Sequence, residues 1–175
     1  MAQERVPDAA EPAKLWSPRW SSAANRLGAN KQVILETWGR RVQNLSPLAA
    51  RLSPNDLNGK ISDFLDELEW ALRPETPDEV APLMVCREHG EQRSRLTGYT
   101  LRDVVQEYSV LRQVLCAILQ QDFLLNLREQ SVVLNSIDQA VSQAIEEYSR
   151  ARESERASET NRTHVENISL VPPTK

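Results

Sequence analysis

The sequence predicts an all-α domain, a helical bundle or globin-like packing of four to six helices, and three observations carry that expectation. Apolar residues recur at helical spacing in run after run, and no stretch alternates apolar and polar residues as a strand would. The ten prolines gather in the first eighteen residues, between Pro47 and Pro82, and at Pro172-Pro173, which leaves long proline-free stretches suited to helices.

Residues 1–22 mix proline, alanine and charge without periodicity and read as a flexible leader, with Trp16 and Trp20 packing loosely against the first helix. From Ala24 to Leu45 the positions Leu27, Ile34, Trp38, Val42 and Leu45 recur at spacings of three, four and seven, one face of a first helix. Ser46-Pro47 and Ser53-Pro54 each pair an N-cap with a proline in the first turn, where its missing N–H costs little. A short helical turn therefore precedes a second helix with the face Leu57, Ile61, Phe64, Leu65, Leu68 and Leu72, ended by Pro74 and Pro77. A third helix is expected from Ala81 to Leu96, with Met84, Val85 and Cys86 at its start and Gly90 inside it, closed by Gly98.

Thr100 caps the strongest helix, Leu101 to Gln121, whose stripe is Leu101, Val104, Val105, Tyr108, Leu111, Leu115, Ile118 and Leu119. After an irregular approach from Phe123 to Gln130, the run Val133, Ile137, Val141, Ala144, Ile145 and Tyr148 makes the last helix. Beyond Arg150 the alternating charges predict a fraying helix end that passes into a disordered tail. The domain proper is thus read as 23–150, between a leader at 1–22 and a polar tail at 151–175.

Composition narrows the function classes. A net charge of −4 gives no electrostatic footprint for nucleic acid. Nothing approaches the ~20 apolar residues of a membrane-spanning helix, and the start MAQERVPDAAEP lacks the apolar stretch of a secretory signal, so a cytoplasmic protein with no membrane partner is expected. Cys86 and Cys116 read as reduced core thiols. The five glycines are dispersed, which argues against a phosphate-cradling loop. Cys86 and His89 are half a zinc ligand set with no second half, so no metal and no cofactor are expected. With one histidine in the folded region and no nucleophile marked out beside it, the chain reads as no enzyme.

Two other roles for His89 define the alternatives: the ligand of a haem- or small-molecule-binding globin-like sensor, or a phosphoacceptor. The plainer reading places His89 and Arg93, four apart on one helical face, in a structural or regulatory polar network whose other candidate members are Tyr99, Glu107, Tyr108, Arg112 and Asp138. Arg112 falls in the apolar sector with Val105, Tyr108 and Leu119 and therefore needs a buried partner. Asp138 or Glu88 is expected to supply it, because Glu107 is read as lying on another side of the helix.

The run HGEQRSRLTGYTLRDVVQEYSVLR, residues 89–112, resembles the pattern H-G-x-x-R-x-x-x-G-Y-x-L-x-x-V-x-x-E-Y-x-x-L-R of the RsbRD amino-terminal domain family. Looser similarity extends through ILETWGRRV at 34–42, DFLDELEWAL at 63–72 and IDQAVSQAIEEYSR at 137–150. His89, Arg93, Gly98, Tyr99, Glu107, Tyr108 and Arg112 occupy the motif positions. The resemblance implies an all-helical input domain of bacterial stress-response signalling, found in stressosome co-antagonists and at the front of sensor histidine kinases. It implies a role similar to that of cofactor-free globin-like modules, which dimerise and pass a signal to an output domain. The expected function is a non-catalytic sensory or protein-interaction domain whose partners are a kinase or stressosome-type output component. A homodimer is expected, driven by an apolar stripe that one bundle cannot cover. The sequence ends at Lys175 without a STAS, PAS or kinase region, which reads as an excised input domain or a free-standing protein acting through a partner.

Overall fold

The computed structural model describes residues 22–76, 85–121 and 124–169, with the backbone alone described for Val85, Asn161 and 163–169. Among them are five α-helices, α1 (Ala23–Leu45), α2 (Pro54–Ala71), α3 (Val85–Ser94), α4 (Leu101–Leu119) and α5 (Leu127–Ser169), a 3-10 turn at Ala49–Arg51, and no strand. The leader apart from Ser22, together with Met84, Phe123 and residues 170–175, lies outside the described residues. The fold is an all-α bundle, as the periodicity predicts.

Local chemistry sets the helix starts. The Ser22 hydroxyl accepts from the Asn25 N–H at the head of α1. Ser53 does the same for Asp56 ahead of Pro54, and Thr100 and Asp103 form a capping box at the head of α4. Just before that cap the chain turns at Gly98, whose φ of 83° is a left-handed conformation that side chains disfavour. Asn126 and Glu129 exchange reciprocal side-chain to backbone hydrogen bonds at the start of α5. Glu129 also accepts from the Ala23 N–H at 2.9 Å, so one carboxylate closes the N-termini of both α1 and α5.

The core is a single cluster. Helix α1 contributes Leu27, Ile34, Leu35, Trp38 and Val42, and α2 contributes the expected face of Leu57, Ile61, Phe64, Leu65 and Leu68, with Leu72 just beyond it. Helix α5 contributes Val133, Ile137, Ala140, Ala144 and Tyr148. Arg26, early in α1, donates to the Leu119 carbonyl at the end of α4, whereas Trp38 donates to the carbonyl of Glu107, nearer the start of α4. The two helices therefore run antiparallel.

Three expectations need correction. The buried face of α4 is Val104, Glu107, Tyr108, Val110, Leu111, Val114, Leu115 and Leu119, whereas Val105 is 37% exposed. At about 100° per residue, the face is rotated away from Val105 and Arg112 and toward Glu107. Arg112 does pair with Asp138, at 2.6 Å, but the pair lies at the surface, and Glu88 instead pairs with Lys60. Lastly, α5 continues past Arg150 to Ser169. Arg, Glu and Ala residues favour helix, pairs such as Arg152–Glu155 span one turn of it, and Glu153–Thr160 are exposed, so the charges there cover a solvated stretch of helix.

Gly90, which counts against helix in the sequence, has a packing reason. A Cβ at this position would lie 2.1 Å from the Ala144 carbonyl oxygen, so α3 and α5 cross backbone to backbone. Substituting Gly90→Ala should therefore lower unfolding stability by about 2 kcal/mol or more, despite the ~1 kcal/mol gain in helix propensity. Urea denaturation checks this; a stabilised variant would contradict the close crossing.

Candidate functional site

The crossing of α3 over α4 and α5 carries His89 and Arg93, one turn apart, into the core, where both are fully buried. They meet Glu107, 1% exposed, from α4. His89 Nε2 lies 2.5 Å from Glu107 Oε2, and because a carboxylate only accepts, this ring nitrogen carries the proton. Arg93 Nε donates to Glu107 Oε1 at 2.9 Å, while its two terminal nitrogens donate to the Asp56 and Leu57 carbonyls of α2 at 3.0 Å each. The Tyr99 hydroxyl also donates to Glu107 Oε1, and the Arg93 guanidinium carbon stands 5.7 Å from the Tyr99 ring centroid.

Around this centre, Trp38 of α1 donates to the Glu107 carbonyl at 2.9 Å, and Tyr148 of α5 donates to the Tyr99 carbonyl at 2.7 Å. Tyr108 meets the His89 ring edge-on, with centroids 5.5 Å apart and planes at 74°. All five helices thus send a group to one polar cluster.

Burial pushes the Glu107 carboxyl upward, but His89, Arg93 and Tyr99 outweigh it and hold the group below its ordinary value. Burial, aided by the Arg93 charge, holds His89 below its ordinary value against the pull of Glu107. The site at neutral pH is therefore one carboxylate balanced by one guanidinium, with a neutral imidazole donating to it. Burial raises the Tyr99 and Tyr108 hydroxyls. It also pushes the Cys86 thiol up to about 12, which makes it an unreactive core thiol facing Tyr108. Both cysteines are free.

The structure brings His89, Arg93, Tyr99, Glu107 and Tyr108 together. It leaves Arg112 and Asp138 apart from them, with side chains 46% and 66% exposed, a surface strap between α4 and α5. The sequence names Glu107 as a member of the network but does not mark it as the centre. Its signal was present, because Glu107 lies three residues after Val104 and four before Leu111, within the buried stripe. The contributions of Trp38, Tyr148 and the α2 carbonyls left no such trace.

As chemistry, the cluster has a buried acid, Glu107, to which both an imidazole and a guanidinium hydrogen-bond. His89 directs its Nε2 proton to Glu107 inside a packed core. Among the described residues no group of three or more His, Cys, Asp or Glu could hold a metal ion, and no helix is long and apolar enough to cross a membrane. Beside the cluster, a cleft of about 330 Å³ opens between the Gly98–Leu101 connection and α5, lined by Tyr99, Tyr148, Arg152 and Arg156.

Breaking a buried ion pair leaves its partner uncompensated, whereas an exposed pair contributes little. Glu107→Gln should therefore cost about 3–5 kcal/mol of stability and Arg112→Ala less than about 1 kcal/mol, measured side by side by urea denaturation. Equal costs would contradict the assignment of Glu107 as the centre.

No curated protein and no solved structure matches the chain. A family match covers residues 32–163, which include every residue of the buried cluster and the motif from His89 to Arg112. On that match the chain belongs to the RsbT co-antagonist protein rsbRD N-terminal domain family.

Proposed function

We propose that this domain is a non-catalytic sensory or interaction module of bacterial stress-response signalling, working as a homodimer and passing its signal through helix–helix contacts to a kinase or stressosome-type output protein. Membership of a co-antagonist family supports a regulatory role exercised through protein partners. The observation that carries the mechanism is α5, one unbroken helix of 43 residues. Its first half packs in the core as far as Tyr148, whereas Glu153–Thr160 are exposed on every side. A helix that is buried at one end and solvated at the other can carry a small displacement of the core outward.

The buried cluster supplies the element to be displaced. Tyr148 of α5 is bonded to the Tyr99 carbonyl, and Tyr99 is bonded to Glu107, so α5 is two hydrogen bonds from the central carboxylate. A signal must bind or stabilise one arrangement of these helices better than another to shift the balance between them. The same geometry supports the non-catalytic reading, because His89 and Arg93 are both bonded to Glu107 within the core.

Two measurements test this reading. Light scattering should give twice the 19.9 kDa chain mass, and a monomer at high concentration would contradict the dimer. Capture of a purified stressosome-type output protein or sensor kinase by the full chain should be lost when the chain is truncated after Arg150. Undiminished capture by the truncated chain would remove α5 from the signalling path.

A further inference from the structure

We propose that the proton is a signal this domain reads: protonation of His89 releases α3 from its seat against α2, α4 and α5 while the rest of the bundle stands. The signalling consequence rests on the function proposed above; the release itself does not.

The first support is how α3 is held. Helices α1, α2, α4 and α5 each bury a row of large apolar side chains, whereas the described buried positions of α3 are Cys86, His89, Gly90, Arg93 and Ser94. Its seat is therefore a polar network and a backbone contact. Such an element opens at lower cost than the core around it.

The second support is what a proton would meet. His89 already uses Nε2–H on Glu107, and its Nδ1 is fully buried with no hydrogen-bond partner. A proton at Nδ1 would be a donor without an acceptor. It would also place a second cation beside Arg93 around a single carboxylate. Both costs vanish when α3 leaves the core and the imidazolium reaches water.

Several titratable or charged groups face His89 and its helix, among them Lys60 of α2, which pairs with Glu88, and Glu67 of α2, which burial holds above its ordinary value. From α4 come Glu107 and Tyr108, from α3 itself Arg93 and Cys86, and from the α3–α4 connection Tyr99. From α2, Glu67 bears on Cys86. Helix α5 meets α3 through the Ala144 backbone, with Glu147 paired to Arg87 and Tyr148 bonded to the Tyr99 carbonyl. Tyr99, Tyr108 and the Cys86 thiol are shifted upward, away from neutrality. Glu107 is held below its ordinary 4.5, so its protonation belongs to a lower pH window. His89 is held below its ordinary 6.5 in the closed state. The released state therefore takes up the proton first, and opening is favoured as pH falls below 6.5 and is pH-independent above it.

Hydrogen exchange of the full chain from pH 7.5 to pH 5, corrected for the intrinsic rate, tests this. Protection across Val85–Ser94 should fall below pH 6.5, by at most about tenfold per pH unit for one proton, while α1 and α4 keep theirs. His89→Gln, which keeps an N–H donor for Glu107 and cannot titrate, should be flat over that range. Equal pH dependence in both proteins, or loss of protection in α1 and α4 in step with α3, would overturn the proposal. Should the variant not fold, imidazole ¹⁵N spectra of the wild type, assigned with H164N, serve in its place: His89 must gain its proton as α3 opens, and a His89 that stays neutral throughout overturns it. No partner enters these measurements, so a failed capture experiment and a flat exchange profile are separate results.

Discussion

A carboxylate without water must be surrounded by donors or lose its charge, and Glu107 meets that demand by drawing groups from distant parts of the chain. His89 and Arg93 arrive on α3, Tyr99 on the connection that follows, and Arg93 in turn occupies two carbonyls of α2. Trp38 and Tyr148 bond to backbone carbonyls at the cluster's edge and tie in α1 and α5. Apolar packing alone would tolerate many relative rotations of five striped helices. A carboxylate with this many fixed donors admits few, so the cluster sets the arrangement even where it adds little net stability.

The same constraint divides the bundle into two kinds of helix. Where a helix presents Leu, Ile, Val and aromatic residues, its seat is held by burial and is indifferent to small changes of charge. Where it presents His, Gly, Arg and Ser, as α3 does, its seat depends on charge balance and on the absence of a side chain at Gly90. A regulatory domain needs one element that is easier to displace than the others, and polarity of the buried face is one way to build it.

The helices were legible because amphipathic spacing and serine, threonine and proline signals at helix starts are local properties. The α2 face, the Thr100 cap and the turn at Gly98 all lie where the sequence puts them. The pairing of His89 with Arg93 was also legible, since a spacing of four is local. Glu107 stood beside them only through the family motif, and helical spacing alone did not mark it as their shared partner. Treating the most apolar arc of α4 as its buried arc placed Arg112 inside and Glu107 outside, the reverse of the structure. Which arc is buried depends on what α3 brings to it, and that is a tertiary fact. The persistence of α5 beyond Arg150 was hidden for a related reason, because a highly charged stretch has the composition of a disordered tail and of a solvated helix alike.

Glu129 has a mechanical meaning beyond capping. The first turn of α1 hangs on the same carboxylate that anchors the first turn of α5. At 1.5 Å per residue the 43 residues of α5 span about 65 Å, so a tilt of a few degrees at that anchor becomes several ångströms at the far tip. A displacement of the start of α1 therefore acts directly on the root of the longest helix among the described residues.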